Sequence, residues 1–395
     1  MKIWFVNPGE PLPIDNNQRL FRTGKIAQRL KLKHEIIWFS SKFDHFKKEF
    51  RDQDQCESDG IKYYFIKSIG YKNNLSIRRV LDHIIMSVNL FIKAFTLKKP
   101  DIVISSYPPI ETSFLIMIYC KLRKIKFICD VRDLWPYTFP HLFKNKFKKF
   151  LCKIVIFPWV ITAKTIFKHS QLTTISDGFL DWLVKYSKNT NVEKFYLSYE
   201  KKQTLKTKKF KDLEIKDDDF IISFVGNFSE IKFNFNFILD SSSEIYNLSK
   251  NIKFVFCGDF KNLDLRNKDL FKNIFFYDWI DRDELRELLN ISNVGLAPYN
   301  DLWDFNLSIP NKISEYLSYE LPLLTSLKGD TENLINQYNC GISYSSNDKN
   351  KFIQIIKNLY FDKEMYAKIK KGAIEASSKF YDDEVLRDME KNILN

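Results

Sequence analysis

Residues 293–326 read NVGLAPYNDLWDFNLSIPNKISEYLSYELPLLTS, and this stretch decides the fold. Residues 294–298 form an apolar run of strand length, and residues 301–306 are polar and rich in turn formers. Ser308 and Pro310 commonly open a helix, proline because the N–H of the first helical turn has no partner in any case. The stretch therefore predicts a strand, a loop, a short helix and a second strand.

The predicted helix has an apolar face and a polar face. Three apolar residues recur at helical spacing and are predicted to face inward, namely Ile313, Tyr316 and Leu317. At the start of the helix, unbonded amides and the positive end of the helix dipole point outward, which makes it an anion site. The residues at this start are Ser308, Ile309, Pro310, Asn311 and Lys312.

Lys312 and Glu315 refine this prediction. Lys312 brings a mobile positive charge to the helix start, and the Glu315 carboxylate, about one turn on, could accept hydrogen bonds from two neighbouring hydroxyls such as those of a ribose. A phosphate at the helix tip and a sugar one turn along describe a nucleotide. The alternative is an ordinary capped surface helix whose lysine and glutamate are solvated.

Length and composition set further bounds. A chain of 395 residues exceeds the size at which one core stops growing, so two domains are expected, and 45% hydrophobic residues exclude a disordered chain. The six cysteines are scattered without a C-x-x-C pair, and the five histidines have no ligand spacing. We therefore expect a reduced cytoplasmic protein without a disulfide framework or a metal site. The start MKIWFVNPG lacks the apolar core of a signal peptide and predicts a first strand.

The first half of the chain alternates strand and helix signals. The predicted strands are Lys2–Asn7, Glu35–Ser40, Ile61–Ile66, Ile102–Ser106, Lys126–Val131 and Gln171–Ser176, the last of this half. Strands separated by helices indicate a parallel sheet, in which ligands bind beyond the carboxyl ends of the strands. Polar residues follow three of these ends, at residues 7–9 with Gly9, at residues 105–107, and at Arg132 and Asp133.

Residues 200–219 are charged and lack a clear periodicity, and we interpret them as a linker. A second alternating series follows, with strands Phe220–Gly226, Lys253–Cys257 and Ile274–Tyr277 and helices Phe233–Leu248 and Asp283–Leu289. The predicted organisation is an amino-terminal domain, a linker, a second α/β domain across a cleft, and a terminal helix that packs back towards the first domain. The corresponding ranges are 1–199, 200–219, 220–375 and 376–395.

The net charge of +13 is unevenly placed. Residues 1–200 carry +16 and residues 201–395 carry −3, and no acidic residue lies between Asp133 and Asp177. Within segment 141–170, lysines flank the run IVIFPWVITA, which is too short to span a membrane but is typical of a segment in the lipid interface. A buried helix pair with a solvated basic edge is the alternative. No nucleic-acid-binding motif accompanies the basic residues.

Five segments occur in an order and spacing that resemble a known family. They are CDVRDLWP (129–136), FVGNFSEIK (224–232), FVFCGDF (254–260), FFYDWIDRDELRELLNISNVGLAPY (275–299) and PNKISEYLSYELPLL (310–324). The chain resembles, over nearly its whole length, the retaining nucleotide-sugar glycosyltransferases of family 4. Among these it is most similar to bacterial enzymes that build capsule, O-antigen and related surface polysaccharides. The resemblance implies the GT-B fold, with two Rossmann-like domains facing each other across a cleft.

The resemblance also assigns roles in the carboxyl-terminal half. Lys232 matches a lysine that binds the donor diphosphate, and Asn227 stands where the family usually has an arginine, so Lys312 or the helix tip must supply that charge. Glu315 matches the glutamate that binds the ribose hydroxyls. Around Trp279 and Ile280, the backbone is expected to meet the base.

Two places depart from the family pattern. Leu307 stands where many members have a glutamate that contacts the donor sugar, and Asp304 or Asn306 could substitute for it. Arg132 stands where the family often has a histidine before Asp133, and a permanently charged guanidinium could bind an anion but could not act as an acid or base. Asp133 is the carboxylate nearest that point, with capping of the following turn as its alternative role.

These roles imply a hexosyltransferase that moves a sugar from a nucleotide diphosphate, a UDP-sugar, to a lipid-linked glycan with retention. Lys232, the helix tip and Arg132 would replace a metal ion, no cofactor is needed, and Gly9 joins the donor-binding candidates. We expect a cytoplasmic enzyme on the inner membrane face, held there through segment 141–170. An epimerase on the same fold and a non-catalytic membrane-docked partner subunit are the alternatives.

Overall fold

The computed structural model describes residues 1–15, 20–74, 76–202, 210, 213–216, 218–226, 228–229, 232–260, 271–345 and 348–395. The chain forms two compact units. The amino-terminal unit comprises Met1–Phe195 and Leu386–Asn395, and the carboxyl-terminal unit comprises Tyr196–Val385. Much of the linker predicted at 200–219, and Asn227, lie outside the described residues.

A largely parallel sheet forms the centre of the amino-terminal unit. Its strands, with a small hairpin, are β1 (Lys2–Val6), β2 (Glu35–Ser41), β3 (Phe43–Asp44), β4 (Glu49–Phe50), β5 (Gln55–Ser58), β6 (Ile61–Ile66), β7 (Ile102–Tyr107), β8 (Lys126–Val131), β9 (Gln171–Thr174) and β10 (Val192–Lys194). The sheet order is β10-β9-β8-β7-β1-β2-β6-β5, parallel except for β5, while β3 pairs with β4. The strand order reverses between β1 and β7, which makes their carboxyl ends a topological switch point.

Helices cover this sheet. They are α1 (Arg22–Leu30), α2 (Ile77–Thr96), α3 (Ile110–Arg123), α4 (Lys146–Val155), α5 (Phe157–His169) and α6 (Asp177–Ser187). Large aromatic side chains of β1 and β2 fill the core between sheet and helices, and Trp4, Phe5, Trp38 and Phe39 are all buried. Because the central strands carry apolar side chains on both faces, they fit only a sheet that is covered on both sides.

The carboxyl-terminal unit repeats the pattern with a fully parallel sheet. Its elements are β11 (Phe220–Val225), α7 (Asn236–Leu248), β12 (Ile252–Cys257), β13 (Ile274–Tyr277), α8 (Arg282–Ile291), β14 (Val294–Ala297), α9 (Trp303–Asn306), α10 (Asn311–Ser318), β15 (Leu323–Thr325), α11 (Asp330–Tyr338), β16 (Gly341–Ser343), α12 (Lys349–Phe361) and α13 (Lys363–Ser377). The last helix, α14 (Asp382–Leu394), begins in this unit, and its residues from Leu386 on belong to the amino-terminal unit. The strands lie in the order β13-β12-β11-β14-β15-β16. The switch point of this unit is between β11 and β14.

The predicted α/β class with two Rossmann-like sheets is confirmed, and several details are corrected. Gln171–Thr174 is not the last strand of the first half, because β10 follows it. The hairpin β3-β4 and edge strand β5 have no counterpart in the prediction, since their short polar sequences lack apolar alternation. Residues 301–306 contain the single-turn helix α9. Pro310 is the cap before α10 and not its first helical residue, with ψ of 154°.

Candidate functional site

Tyr316 fixes helix α10 to the switch point of the carboxyl-terminal unit. Its hydroxyl donates to the Leu296 carbonyl at 3.3 Å and accepts from the Val225 amide at 3.3 Å, so it joins β14 to β11. Gly295 leaves room for the ring, because a Cβ there would lie 2.4 Å from Tyr316 ring carbons. The sequence analysis places Tyr316 in the core, which is confirmed, but gives no sign of these two hydrogen bonds.

Two glycines shape the strand ends beside this tyrosine. Gly226 follows β11 with a φ of 141°, and Gly258 follows β12 with a φ of 145°, a conformation that side chains disfavour. A Cβ on Gly258 would lie 2.2 Å from the Gly226 carbonyl oxygen, and a Cβ on Gly226 would lie 2.2 Å from Lys312 Nζ. Backbone and ammonium group are therefore packed together at one place, where only glycine fits.

Aromatic rings position the Lys312 ammonium group. Its Nζ lies 4.8 Å from the centre of the Phe224 ring and 5.3 Å from that of Phe233. Such contacts are attractive because a cation is drawn to the face of an aromatic ring. The two rings and Gly226 therefore define where the Lys312 ammonium group lies in this structure.

The start of α10 lies at the same strand ends. The amides of Ile313 and Ser314 donate to the Pro310 carbonyl at 2.9 and 3.4 Å, so the amides before them form the helix tip. Ser308 and Ile309, which lead into the tip, are buried. The tip is thus held by packing on one side, and its Asn311 is exposed. Amides at such a helix start can bind an anion, and anion binding at this tip stays a prediction.

Lys232 belongs to a loop that runs beside the chain after β14. Its carbonyl accepts from the Asn300 amide at 2.8 Å, and the Asn234 amide donates to the Pro298 carbonyl at 2.9 Å. The next residue, Phe233, is one of the two rings that face Lys312 Nζ. Lys232 itself is exposed, and its contact with a donor diphosphate stays a prediction.

The remaining predicted donor residues differ in what they present. Glu315 is half-buried on α10, one turn beyond the tip. Ile280 is buried in a cluster with Val255 and Cys257, so its side chain is part of the core and contact with a base through its backbone stays a prediction. The neighbouring Trp279, which is predicted with Ile280 to meet the base through its backbone, has a side chain that is 68% exposed.

Asn306, one of the two substitutes offered for Leu307, already has a partner. Its side-chain amide donates to the Asp301 carboxylate at 2.6 Å. A Cβ on the nearby Gly329, whose φ is 61°, would lie 2.0 Å from the Asn306 carbonyl oxygen. The segment around Leu307 is therefore closely packed against the start of α11. The Asn306 Oδ1 is buried without a hydrogen-bond partner in the described part of the chain, and its contact with a sugar stays a prediction.

Arg132 lies in a buried charge cluster of the amino-terminal unit. Its guanidinium donates to Asp130 at 2.7 Å and to the Thr23 hydroxyl at 2.6 Å, and it also pairs with Glu10. The buried Arg22 reaches the same Asp130 at 3.2 Å. Burial lowers the pKa of Arg132 to about 10, which leaves it protonated at neutral pH. Arg132 thus neutralises these carboxylates, and its side chain, which is 18% exposed, also lines the cavity described next. Binding of an anion by Arg132 stays a prediction.

A polar cavity of about 190 Å³ lies at the switch point between β1 and β7. The predicted residues Gly9, Arg132 and Asp133 line it, and Asp133 is exposed. The lining also includes residues that the sequence analysis does not find, namely His45, Tyr71, Arg79, Asp82, His83 and Trp135. They come from loops and from α2, and single residues so far apart in the chain carry no pattern that could have indicated them.

The two histidines of this cavity are uncharged at neutral pH. Burial lowers the pKa of His45 to about 4 and that of His83 to about 3, and neighbouring cations, including Arg79, act in the same direction. The Tyr71 hydroxyl lies 2.5 Å from His45 Nδ1. A neutral imidazole can both donate and accept a hydrogen bond. The cavity therefore suits a hydroxyl-rich ligand.

Segment 141–170 folds into α4 and α5, which meet at an angle of 60°. No residue of α4 is buried, and Phe147 and Val155 are each 67% exposed, so the alternative of a buried helix pair is wrong for α4. Among the described residues, no single helix has the length and apolar composition of a membrane span, whereas this bent pair has them when taken together. The membrane contact itself stays a prediction.

The described part of the chain contains no group of three or more His, Cys, Asp or Glu side chains that could hold a metal ion. Among the described residues, the candidate cationic groups for the α10 tip are the ammonium groups of Lys312 and Lys232. The donor set at this site consists of amides and ammonium groups, which suit phosphate oxygens.

Comparisons with known proteins concern the carboxyl-terminal half of the chain and the overall fold. Residues 206–376 match the family described as "Glycosyl transferases group 1". No curated protein matches the chain. Among solved structures, sucrose-phosphate synthase from Thermosynechococcus elongatus superposes with a TM-score of 0.72 at 13% identity, over 99% of this chain and 97% of that one.

Two further structures cover both chains almost completely. Anabaena Alr3699/HepE in complex with UDP-glucose has a TM-score of 0.68 at 12% identity, over 100% of this chain and 99% of that one. WaaG, a glycosyltransferase involved in lipopolysaccharide biosynthesis, has a TM-score of 0.65 at 11% identity, over 99% of each chain. Residues 206–376 thus match the glycosyl transferases group 1 family, and the chain as a whole has the fold of GT-B glycosyltransferases.

Proposed function

We propose that this protein transfers a hexose from a nucleoside diphosphate sugar, UDP being the nucleotide, to a hydroxyl group of a lipid-linked glycan. The observation that carries the proposal is the packing of Lys312 Nζ against Gly226 at the α10 tip. A diphosphate placed there meets an ammonium group and helix amides at once. Both act as prearranged donors for the charge that grows on the leaving group.

The other donor residues extend this arrangement. Lys232 supplies a second ammonium group from the neighbouring loop, and Glu315 accepts the ribose hydroxyls one helical turn from the phosphates. Exposed Trp279 follows β13 at the same edge of the sheet and offers a flat apolar surface for the base. The nucleotide then spans the strand ends at the switch point, where doubly wound sheets bind their ligands.

The proposed reaction retains the configuration at the anomeric carbon and uses no metal. The bond between that carbon and the diphosphate breaks, and its electron pair goes to the phosphate oxygen. The acceptor hydroxyl forms the new bond on the same face, and its proton passes to the departing phosphate. Lysines and helix amides take the role that a metal ion has in some other transferases, which leaves Arg132 as a residue that holds Glu10 and Asp130 in place.

The acceptor would bind in the polar cavity of the amino-terminal unit. Its neutral histidines and the exposed Asp133 provide donors and acceptors for sugar hydroxyls. A surface-polysaccharide precursor on a lipid is the acceptor class that also accounts for the exposed apolar and basic segment 141–170. This segment would hold the enzyme on the anionic inner face of the membrane.

The test is release of nucleoside diphosphate from a panel of nucleotide sugars, with membranes as the source of acceptor. Lys232→Ala and Glu315→Ala should each lower turnover, and Lys349→Ala, which breaks an exposed ion pair with Glu244, should not. Release with retained configuration in the product is expected. Unchanged rates in both site variants would remove the site assignment, and interconversion of the donor without transfer would identify an epimerase instead.

Membrane docking has a test of its own. Lys148→Glu combined with Lys149→Glu should move the protein from the membrane fraction to the soluble fraction, because each lysine near an anionic surface contributes about 1 kcal/mol of attraction. Lys357→Glu and Lys371→Glu in the other unit serve as controls for the change in net charge. An unchanged distribution would rule out docking through this segment.

A further inference from the structure

Helix α2 exposes a stripe of apolar side chains. This stripe lies outside segment 141–170, the segment proposed above to contact the membrane. Its members recur at intervals of three or four residues, as one face of a helix requires: Ile77, Leu81, Ile84, Val88, Ile92 and Phe95. Ile77 is 81% exposed and Ile92 59% exposed. The opposite face, with Met86 and Leu90, packs into the unit. The stripe is thus a second apolar surface, and the fold alone gives it no covering element among the described residues.

A groove joins this stripe to α5. It has a volume of about 230 Å³ and lies between three helices of the amino-terminal unit. Ile84 and Val88 of α2 form one wall, and Trp159 and Thr162 of α5 form the other. Its floor is α3, through Ile110, Glu111, Phe114 and Leu115. The apolar faces of α2 and α5 are therefore continuous across a channel that is itself apolar.

The one carboxylate in the groove is tied to its wall. Glu111 accepts a hydrogen bond from Trp159 Nε1 at 2.6 Å, which fixes the indole across the first turn of α3. The other carboxylate on α2, α3, α4 and α5 is Asp82, which is buried and accepts from the amides of Ile69 and Gly70. Neither carboxylate places a free negative charge on the outer surface of these helices.

The charge around the groove selects its partner. Exposed lysines lie on the same segment, at positions 146, 148 and 153 on α4 and 164 and 168 on α5. A second copy of the chain on this face would bring these like charges together, which is costly at an interface. A bilayer with anionic headgroups supplies both the opposite charge and an apolar interior.

We propose that the groove between α2, α3 and α5 binds one hydrocarbon chain of an anionic membrane lipid, with the α2 stripe lying in the same leaflet. This inference rests on the proposed membrane docking and adds a defined lipid site and a second docking element to it. Lysines of α4 and α5 contact the headgroup, and the chain lies against the Trp159 ring and the α2 wall. The amino-terminal unit is then held by a lipid inserted into it as well as by surface charge.

Trp159 provides the readout. Vesicles of phosphatidylcholine and phosphatidylglycerol with dibromostearoyl chains should quench its fluorescence, because bromine quenches an indole only at close contact. The chain contains seven tryptophans, so the Trp159 contribution is taken as the difference from Trp159→Phe. We expect the Trp159 fluorescence to be quenched by lipids that carry bromine on the hydrocarbon chain. Lipids that carry bromine on the headgroup instead should not quench it.

A filled groove is the decisive variant. Val88→Phe with Thr162→Phe narrows the groove from both walls, and Ile92→Phe with Ile161→Phe adds the same residues to the same helices outside it. We expect the first variant to sediment with vesicles as the wild type does but to lose quenching of Trp159. The second should keep both properties. Equal quenching in the two variants, or vesicle binding by the wild type without quenching, would overturn the proposal.

The failure of docking is distinguishable from the failure of the groove. If the wild type does not sediment with vesicles, the docking proposal falls, and monomeric dibromostearate then probes the groove by itself. Saturable quenching that the filled variant loses would sustain the chain-binding site, and its absence would reject it. A dimer in sedimentation equilibrium that Leu81→Glu dissociates would show instead that this face joins two copies of the chain.

Discussion

The ammonium group of Lys312 occupies the space in which Gly226 would carry a side chain. Lys312 lies in the first turn of helix α10, and Gly226 follows strand β11, more than eighty positions earlier in the chain. Two rings, those of Phe224 and Phe233, hold the ammonium group there. Gly226 and Lys312 therefore act together: the glycine leaves the space in which the lysine places its positive charge at the end of strand β11.

Gly226→Ala should disturb this arrangement of Gly226 and Lys312 in two ways. The residue has a φ of 141°, at which a side chain costs about 1–3 kcal/mol, and the new methyl group would displace the ammonium group. We expect lower stability together with a large loss of turnover. Gly60→Ala is the control, because its φ is 72° but a Cβ there meets nothing within 4 Å, so it should lose stability only. Equal activity in the two variants would contradict the role of Gly226.

Lys312→Met keeps the apolar stem of the side chain and removes its charge. If the ammonium group stabilises the leaving diphosphate, turnover should fall by about 10²–10³-fold. The folded state should be nearly unaffected, since the methionine side chain can pack against the same rings. Steady-state kinetics of nucleoside diphosphate release measure the first expectation, and urea unfolding measures the second. A variant that unfolds more easily but reacts at the wild-type rate would make Lys312 structural.

Tyr316→Phe should affect both folding and activity. It removes the bonds to Val225 and Leu296 and leaves buried backbone groups with fewer partners, at a cost of about 1–3 kcal/mol. Tyr366→Phe is the matched control, because that hydroxyl donates to the Asn293 carbonyl at 3.1 Å. Similar losses in the free energy of unfolding are expected, with lower turnover in the first variant alone. Equal turnover would show that the switch point tolerates the loss.

Glu111→Gln should change the pH dependence of stability. Burial raises the pKa of Glu111, so the folded protein binds this proton more readily than the unfolded chain does. The stabilising contribution of protonated Glu111 is then fully present below the ordinary pKa of 4.5 and declines as the pH rises through the raised pKa. Glutamine does not titrate, so the free energy of unfolding of Glu111→Gln should rise relative to that of the wild type as the pH increases from about 4.5. Urea midpoints at several pH values measure this, with exposed Glu244→Gln as the control.

His83→Gln should act in the opposite direction. The folded-state pKa of about 3 lies below the ordinary 6.5, so the unfolded chain takes up the proton first. The stabilising contribution of neutral His83 is therefore fully present above pH 6.5. It is lost as the pH falls, which lowers the free energy of unfolding by about 1–2 kcal/mol near pH 5. The glutamine variant should show a shallower loss in acid. His169→Gln, which changes an exposed histidine on α5, should keep the wild-type slope.

Part of this site was predictable from the sequence. The spacing of Ile313, Tyr316 and Leu317 predicts an inward helix face, and all three are buried. The helix start with Lys312 follows from Ser308 and Pro310, although the proline is the cap and not the first helical residue. These predictions succeed because helix periodicity and capping act over a few neighbouring residues.

Other features were not predictable because they depend on residues far apart in the chain. Arg132 was expected to bind a ligand, but its guanidinium also pairs with Glu10, more than a hundred positions away, in addition to the nearby Asp130. His45, Arg79 and His83 meet in a cavity only after α2 has packed against the sheet. The α2 stripe has ordinary helical spacing, and nothing in that spacing tells whether the fold covers it.

The sequence by itself determined the alternation of strands and helices, the resemblance that implies a nucleotide-sugar site, and the basic apolar segment before residue 170. Local propensity and periodicity are sufficient for these, because each is written in adjacent residues. Only the tertiary structure decided that Gly226 makes room for Lys312, that Arg132 is paired with carboxylates, and that α2 and α5 share an apolar groove. Those outcomes depend on which surfaces meet when the sheets and helices pack, and no single segment encodes them.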